Sequence, residues 1–419
     1  MIQKKKLHYA WIVLLGVILI RGFAGGGINM TSGLFLEPVS HEIGVGIGTL
    51  SLYLSISSIF MLIWLPIAGK LMNKYDVRWM TIIGAVLQAG SFMLFGLMNS
   101  VWGWYILAVP SVMGATIVVN LLGPILINRW FAKHTGSMMG ILMACVGLFG
   151  AVLQPLTTKI IARSGWRTAY VVIGGITFIA VLISAIFFIK GHPKDRNTEP
   201  YGAGEVAEGN KNKAIKNYLN IEEGVATKSS AFFLLLIFMI AITGVGVFSQ
   251  HIPTFGSQLG YSIESVGMAL ALFSIGSAIG SIAIGTISDK IGCLKTSIGM
   301  VGVGVVAVAL FFISHKSFII FSLAAFLHGF TSSGVGVLAP VLTLEFFGQK
   351  DYEKIFAKVM MGAPIASIIL IPTYGFIYDQ FNNYYIVLIG LLILLVVAFF
   401  SIGVGWKQRC KLTGVCGHE

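Results

Sequence analysis

The segment Gly69–Asp76, with the sequence GKLMNKYD, recurs in outline as GTISDKIG at Gly285–Gly292, an offset of 216 residues. Four further landmarks pair at the same offset: Gly44 with Gly260, Pro124 with Pro340, Phe131 with Phe347 and Gly174 with Gly390. Landmarks in register over both halves indicate two copies of one unit. The repeat therefore predicts a molecule built from two similar halves.

The composition places both halves in a membrane. Of the 419 residues, 56% are hydrophobic and 11% are charged, whereas about a quarter of a soluble domain is charged. Twelve continuous apolar stretches are long enough to cross a hydrocarbon core of about 30 Å as helices, which excludes a β-barrel. They are expected near residues 9–36, 46–68, 79–98, 102–125, 137–160, 167–190, 231–254, 263–287, 295–313, 317–343, 356–378 and 383–405.

The predicted fold is an all-α integral membrane protein, with twelve transmembrane helices in two pseudo-symmetric six-helix bundles. The expected divisions are an N-terminal bundle over 1–190, a linker over 191–229, a C-terminal bundle over 230–406 and a tail over 407–419. The linker is charged and has little apolar material for a core, so we expect a solvated connector with at most a short surface helix.

Basic residues predict the orientation. Of the 28 Lys and Arg residues, 23 fall on the side of the termini and the linker and four on the opposite side. This bias makes both termini and the linker cytoplasmic, and it explains the net charge of +12 through anionic lipid rather than nucleic acid. Lys4–Lys6 imitates a signal peptide, but Arg21 interrupts the apolar run, so we expect an uncleaved first helix. Size and the short linker suggest a bacterial inner membrane.

No cofactor, metal or disulfide is expected. The cysteines lie in spans or on the predicted cytoplasmic side, where disulfides are rare. They are Cys145, Cys293, Cys410 and Cys416. A metal-binding tail of Cys410, Cys416 and His418 would match no standard zinc spacing and would lack a fourth ligand.

The sequence also offers nothing for an enzyme. His41-Glu42 lacks the second histidine of a zinc-protease helix, since Val45 stands in its place. Neither a nucleophile elbow nor a phosphate-binding loop is present, which also argues against an ATP-driven pump.

The repeated loop carries a mechanical prediction. A glycine near a helix end permits close approach of two helices, and Asp289 can accept hydrogen bonds at the N-terminus of a neighbouring helix, where the dipole favours an anion. Such a contact would latch one conformation; the alternative is that these are only basic loop residues. The predicted latch residues are Gly69, Asn73, Lys74, Arg78, Gly285, Asp289 and Lys290.

With this loop the chain resembles the major facilitator superfamily, whose loop between helices 2 and 3 reads G-x-x-x-D-R/K-x-G-R and recurs between helices 8 and 9. The second copy matches through Gly285, Asp289, Lys290 and Gly292, and in the first copy Asn73 replaces the acid. The resemblance implies a transporter whose two halves rock about a central site.

Within the superfamily, the chain is similar to the branch of monocarboxylate transporters and oxalate/formate antiporters. The similarity lies in Trp11–Glu37, Pro124–Phe131, Gly165–Arg167 and Glu345–Gly348. The branch's intramembrane cations are not kept, because Asn29 stands at the first-helix lysine, and Ser281 and Ala363 stand at the antiporters' two cationic positions. The resemblance implies an organic anion, while the missing cations argue against a dicarboxylate.

Few polar side chains remain inside the spans. Arg21 is the first candidate for an anion contact, because a buried guanidinium without a partner is costly; the alternative is a structural role, bonded to carbonyl groups or snorkelling along the glycine-rich segment Gly25–Gly27. Asparagine and glutamine side chains in spans can bind a ligand or join helices, and histidines can titrate or be packed. The candidate substrate contacts are Arg21, Asn29, Asn120, Gln154, Gln250, His251 and His328.

These features predict secondary active or facilitative transport of a small organic anion, a monocarboxylate, by a monomer in contact with membrane lipid. The first alternative is a facilitator or exporter of another solute, such as a drug or an amphipathic acid, with Arg21 structural. A remote alternative is a non-transporting sensor. Uptake, export, exchange and proton coupling all stay open, since no acidic residue lies in the middle of a span.

Overall fold

The computed structural model describes residues 8–132, 135–196, 198–202 and 221–413, without the side chains of 135–137, 353 and 410–413. The expectations for the signal-like N-terminus and for Cys416 and His418 of the tail fall outside this description. The described ends of the linker contain a 3₁₀ turn over Pro193–Arg196 and one short helix, Glu223–Ala226.

Six membrane spans precede the linker. Span 1 is irregular and consists of an α-helix over Tyr9–Arg21, a π-helix over Gly22–Asn29, a 3₁₀ turn over Ser32–Phe35 and a short helix over Leu36–Ile43. The next spans are Ile47–Lys74 (span 2), Val77–Phe95 (span 3) and Val101–Trp130 (span 4). Spans 5 and 6 form one segment, Thr135–Phe187, which Gly165 divides because its φ of 80° is not helical.

Six more spans follow the linker. Span 7 consists of Ser230–Val247, Phe248–Gln250 and Ile252–Gln258; span 8 is Ile263–Ile291 and span 9 is Cys293–Ile313. Span 10 is Phe318–Ser332 and Gly334–Phe347, span 11 is Tyr352–Met360 and Gly362–Phe381, and span 12 is Tyr385–Thr413. Eleven helices of the described residues are long and apolar enough to cross a membrane, and the division at Gly165 makes twelve crossings. The predicted all-helical membrane fold is confirmed.

The sequence repeat is also a repeat of backbone conformation. Gly44 and Gly260, 216 residues apart, both adopt positive φ, at 67° and 83°. Each follows a short helix at the point where the chain turns toward the next span. Side chains are disfavoured at such φ values, so glycine is the residue that lets both copies end this helix in the same way.

Two spans depart from regular helix near their prolines. In span 4 a π-helix over Thr116–Leu121 ends just before Pro124, which has no N–H to bond one turn back. The departure from regular helix therefore lies one turn ahead of the proline. In span 10 the break is at Ser333, seven residues before Pro340.

The outer surface of both bundles is apolar. Ile63, Val152 and Ile319 expose 60%, 68% and 77% of their surface, and all three lie within spans. Leaving so much apolar surface in water would be unfavourable, whereas hydrocarbon accommodates it. The protein is therefore a multi-pass membrane protein.

The two bundles meet at the face opposite the linker, here called the distal face. Asp379, at the end of span 11, accepts hydrogen bonds from the backbone N–H groups of Ile47 and Gly48, both at 2.8 Å, at the start of span 2. A Cβ placed on Gly375 would lie 2.6 Å from the Cα of Gly48, so only glycine fits this helix crossing. These four residues, Ile47, Gly48, Gly375 and Asp379, form the distal gate, which is closed.

The linker face is open in comparison. A Cβ on Gly69 would meet nothing within 4 Å, and one on Gly285 would meet only Val337 of its own bundle, at 3.7 Å. The close helix approach expected at these glycines is therefore absent from this conformation. Every hydrogen bond between the bundles among the described residues lies between the distal face and the middle of the spans, and none lies nearer to the linker face.

Candidate functional site

A two-lobed cavity lies between the bundles, beneath the distal gate. The first lobe, here called the arginine lobe, has a volume of about 440 Å³ and is lined by Arg21, Gln154 and Ser281. The second, here called the serine lobe, has a volume of about 330 Å³ and is lined by Ser57, Ser58 and Asn120, among others. Asn29 and Gln250 line both lobes, so they mark the passage between them.

The π-helix of span 1 places Arg21 and Asn29 at this cavity. Within it, Gly26 packs against span 5 so closely that a Cβ would lie 2.7 Å from both the backbone nitrogen of Gly150 and the carbonyl oxygen of Val146. The wider π turn and the absent side chain let span 1 lie against span 5. Polar residues at both ends of this segment consequently line the arginine lobe.

Arg21 is buried with almost no compensation. Its side chain is 8% exposed, and its hydrogen bond in the described structure is to the sulfur of Met143, at 3.2 Å. The Nε atom has no partner among the described residues. A thioether is a weak acceptor, so this contact does not balance a guanidinium charge. The arrangement leaves N–H donors available to an anionic ligand.

Amide side chains form the polar wall of the arginine lobe. Gln154 donates to the carbonyl oxygen of Met30 at 2.8 Å and accepts from the hydroxyl of Ser274 at 2.8 Å, which joins the two bundles. Gln88 donates to the Asn29 Oδ1 at 3.1 Å and leaves the Asn29 amide N–H groups toward the cavity. Gln88 is not among the predicted contacts; it acts through its bond to Asn29, which only the packing of spans 1 and 3 creates.

Gln250 closes the cavity from above. Its Oε1 lies 2.9 Å from the hydroxyl of Ser32 of the first bundle, which shares its single proton between this oxygen and the carbonyl oxygen of Asn29, at 2.7 Å. The amide nitrogen of Gln250 has no partner in the described part of the chain and can donate to a ligand. Gln250 thus combines a contact between the bundles with a free donor at the junction of the lobes.

The two histidines lie outside both lobes. His251 is fully buried, its Nδ1 is 3.0 Å from the hydroxyl of Tyr384, and its Nε2 is 2.8 Å from the carbonyl oxygen of Ile371. His328 is fully buried among phenylalanine rings, and neither ring nitrogen has a partner among the described residues. Their predicted role as substrate contacts stays a prediction, and the structure does not bring them to the cavity.

The predicted latch residues lie at the linker face. The side chain of Asn73 accepts a hydrogen bond from Arg129 at 3.3 Å, and Arg78 donates to the carbonyl oxygen of Ile189 at 2.7 Å. Lys74 lies 5.4 Å from the ring centre of Tyr75, and Asp289 and Lys290 are exposed at the end of span 8. The predicted type of contact, a carboxylate on a helix N-terminus, is present at the distal gate through Asp379. The latch role of the linker-face residues stays a prediction.

The comparison with protein families agrees with this architecture. The model of the Major Facilitator Superfamily matches residues 17–293 and 234–409, which together span most of the chain. The chain belongs to the major facilitator superfamily. Members of the superfamily are membrane transporters that bind small-molecule substrates, and the cavity between the bundles is the candidate site for one.

The relatives within the superfamily include members of the branch of monocarboxylate transporters and oxalate/formate antiporters, which the sequence predicts. The chain is 24% identical to the MFS-type transporter YhjX of Escherichia coli, over 85% of this chain and 86% of that protein. It is 23% identical to an oxalate:formate antiporter of Oxalobacter formigenes, over 81% and 78%. It is 22% identical to monocarboxylate transporter 1 of Bos taurus, over 67% and 61%. The predicted resemblance is confirmed at low identity.

Solved structures of the superfamily show the same fold. A bacterial homologue of the human lysosomal transporter Spinster, in an inward-facing, unoccupied conformation, superposes with a TM-score of 0.71 at 13% identity, covering 96% of this chain and 98% of that chain.

The superfamily resemblance gives the cavity lining a further meaning. Asn29 and Ser281, which stand where carriers of the branch have cations, both line the arginine lobe. Arg21 is the one charged residue of the described cavity lining. In this member of the superfamily, the positive charge of the cavity therefore comes from Arg21 alone.

Proposed function

We propose that this major facilitator carries a small monocarboxylate across the membrane by alternating access. The observation that supports this substrate class is the Arg21 guanidinium, buried at the arginine lobe without an acidic partner in the described structure. A carboxylate binds a guanidinium through two parallel hydrogen bonds and would supply the missing charge.

The charge of the cavity favours a monoanion. A second carboxylate on the substrate would lie among neutral residues, because neither lobe is lined by a further cation in the described part of the chain. Burying that charge without a partner is costly. The names of the relatives, one an oxalate:formate antiporter and others monocarboxylate transporters, support organic anions generally.

In the proposed cycle the linker face is cytoplasmic, in a bacterial inner membrane. The conformation described here has a closed distal gate and open space at Gly69 and Gly285 on the linker face. In this cycle it receives substrate from the cytoplasm. Opening of the distal gate and closure at the linker face would expose the same lobes to the other side. One chain contains both bundles, so a monomer suffices.

The test is binding of a ligand panel to the purified protein, followed by its loss in a variant. We expect small monocarboxylates to raise the melting temperature, because a ligand that binds only the folded state stabilises it by mass action. Arg21→Gln should remove this shift and abolish uptake into proteoliposomes.

Arg163→Gln is the matched control, because Arg163 is exposed at the distal end of span 5 and contacts neither lobe. It should leave binding and uptake unchanged. Stabilisation by neutral or cationic compounds alone, or unchanged uptake in Arg21→Gln, would contradict the proposed substrate class.

A further inference from the structure

A short carboxylate bound at Arg21 does not need the additional volume of the serine lobe. It adjoins the arginine lobe through Asn29 and Gln250, and it is lined by a group of hydroxyl and amide side chains. These include Ser57, Ser58, Ser111, Ser367 and Asn120. A substrate held by its carboxylate at Arg21, and long enough to extend past Asn29, would place the far end of its chain in this lobe.

The directions of the hydrogen bonds show what the serine lobe offers. Ser57 donates its proton to the carbonyl oxygen of Tyr53 at 2.9 Å, and Ser58 donates to that of Leu54 at 3.0 Å. Ser367 donates to the carbonyl oxygen of Ala363 at 3.0 Å. With their protons used in this way, the three hydroxyl oxygens retain lone pairs that can accept.

Donors stand beside these acceptors. Asn120 lines the lobe, and its side-chain amide has no hydrogen-bond partner among the described residues; the amide nitrogen of Gln250 is also free in that part of the chain. A ligand group that both donates and accepts would satisfy the two kinds of partner together. An alcohol hydroxyl is such a group.

Other tails fit the serine lobe less well. An alkyl chain would contact the apolar residues that also line the lobe, among them Ile28, Leu54 and Met61, but it would leave the serine and asparagine groups without hydrogen bonds, which is unfavourable. An ammonium group would find no carboxylate in the described lining and would lie near the positive charge of Arg21. The rings of Phe92 and Phe95 line the same lobe and give the C–H faces of a substrate an apolar surface.

We propose that the substrate is a polyhydroxylated monocarboxylate, with its carboxylate at Arg21 and its hydroxylated chain in the serine lobe. This inference rests on the proposed function and narrows its substrate class. Selectivity would come from the serine lobe, because each hydroxyl of the substrate replaces a water that the lobe otherwise holds.

The test compares three ligands of equal carbon number on the purified full-length protein: D-gluconate, hexanoate and sorbitol. The first carries both groups, the second only the carboxylate, and the third only hydroxyls. We expect D-gluconate to bind at least about tenfold more tightly than hexanoate, the gain of one or two hydrogen bonds, with sorbitol weaker than both.

The double variant Ser57→Ala with Ser58→Ala should weaken D-gluconate binding about tenfold and leave hexanoate binding unchanged. Both hydroxyls bond only to the backbone of their own helix in the described structure, so the variant should fold. Ser297→Ala is the control, because Ser297 makes the same kind of bond, to the carbonyl oxygen of Cys293 at 2.7 Å, outside both lobes.

The outcomes separate this inference from the proposed function. Equal or tighter binding of hexanoate, still lost in Arg21→Gln, would overturn the hydroxyl selectivity and leave the monocarboxylate function intact. Carboxylate binding that does not depend on Arg21, or binding of sorbitol alone, would overturn both. Because the ligand comparison uses the unaltered protein, it decides the matter even if the double variant is unstable.

Discussion

At the scale of single residues, the decisive feature is the Arg21 guanidinium, whose hydrogen-bond acceptor among the described residues is the sulfur atom of Met143. Arg21 keeps its charge inside the bilayer without a carboxylate among the described residues, which is an expensive arrangement for a merely structural role. Of the two structural alternatives, bonds from Arg21 to carbonyl groups are not found in the described part of the chain, and snorkelling along Gly25–Gly27 is tested by the Arg21 variants. We therefore propose that a ligand completes the site.

Arg21→Lys should separate charge from geometry. Lysine keeps a positive charge but cannot form two parallel hydrogen bonds with one carboxylate, so we expect monocarboxylate affinity to fall about tenfold rather than disappear. Binding is measured by titration of the purified variant beside Arg21→Gln. Equal loss in the two variants would show that the fork geometry is indispensable, and full affinity in both would remove Arg21 from the site.

His251 offers the complementary test, of a residue held by two hydrogen bonds. Replacing it by phenylalanine leaves the hydroxyl of Tyr384 and the carbonyl oxygen of Ile371 buried without their partner. We expect a loss of about 2–4 kcal/mol in stability, with ligand affinity unchanged. Thermal unfolding and ligand titration together check this. A large loss of affinity without loss of stability would instead support the predicted substrate contact.

The residues show where sequence reasoning reaches its limit. Arg21, Asn29, Gln154 and Gln250 could be selected because polar groups inside a span are unusual, and all four line the cavity. Gln88 is equally polar, yet its importance lies in the bond that orients Asn29, which only the packing of spans 1 and 3 creates. Side-chain partners across helices are not encoded in a local pattern.

At the scale of elements, the distal gate joins a carboxylate to the start of a helix. Span 2 is 28 residues long, and its N-terminal N–H groups carry partial positive charge, so both bonds to Asp379 are charge-assisted. The sequence predicted this kind of contact for Asp289 at the other face. It could not select Asp379, because an acid at a span end resembles any other rim residue until the partner helix is placed.

Asp379→Asn should loosen the distal gate. Asparagine keeps one acceptor oxygen but loses the charge, so we expect the closed distal state to lose about 0.5–2 kcal/mol, a roughly twofold to thirtyfold shift toward opening. Spin labels at Ser164→Cys and Lys316→Cys, in a cysteine-free background, would report longer distances across the distal face.

Glu264→Gln is the control for this measurement, because it removes another distal charge that has no hydrogen bond between the bundles in the described structure. It should leave the label distances unchanged. An identical distance distribution in Asp379→Asn and the unaltered protein would mean that glycine packing alone holds the gate closed.

At the scale of the whole molecule, the repeat predicted two bundles and a site between them, and the number of spans followed from hydropathy. The conformation could not be predicted in this way. Both end states of a rocking transporter share the same spans and differ by only a few kcal/mol, so no sequence pattern selects the state with the distal gate closed. The open space at the linker-face glycines, where an added Cβ would meet no atom of the other bundle within 4 Å, is accordingly a property of this state.

The open space at Gly69 and Gly285 yields a prediction about the state in which the linker face is closed. We expect Gly69 and Gly285 to be needed for close packing only when the linker face closes. The variants Gly69→Leu and Gly285→Leu should then fold normally, because a Cβ at Gly69 meets open space and one at Gly285 makes only an ordinary contact. Ligand affinity in the present conformation should persist, while exchange of labelled substrate across proteoliposomes should slow at least about tenfold. Gly302→Leu, a substitution into equally open space in span 9, should affect neither quantity. Unimpaired exchange in both Gly69→Leu and Gly285→Leu would show that the repeated glycines do not act in closure. The latch would then lie elsewhere on the linker face.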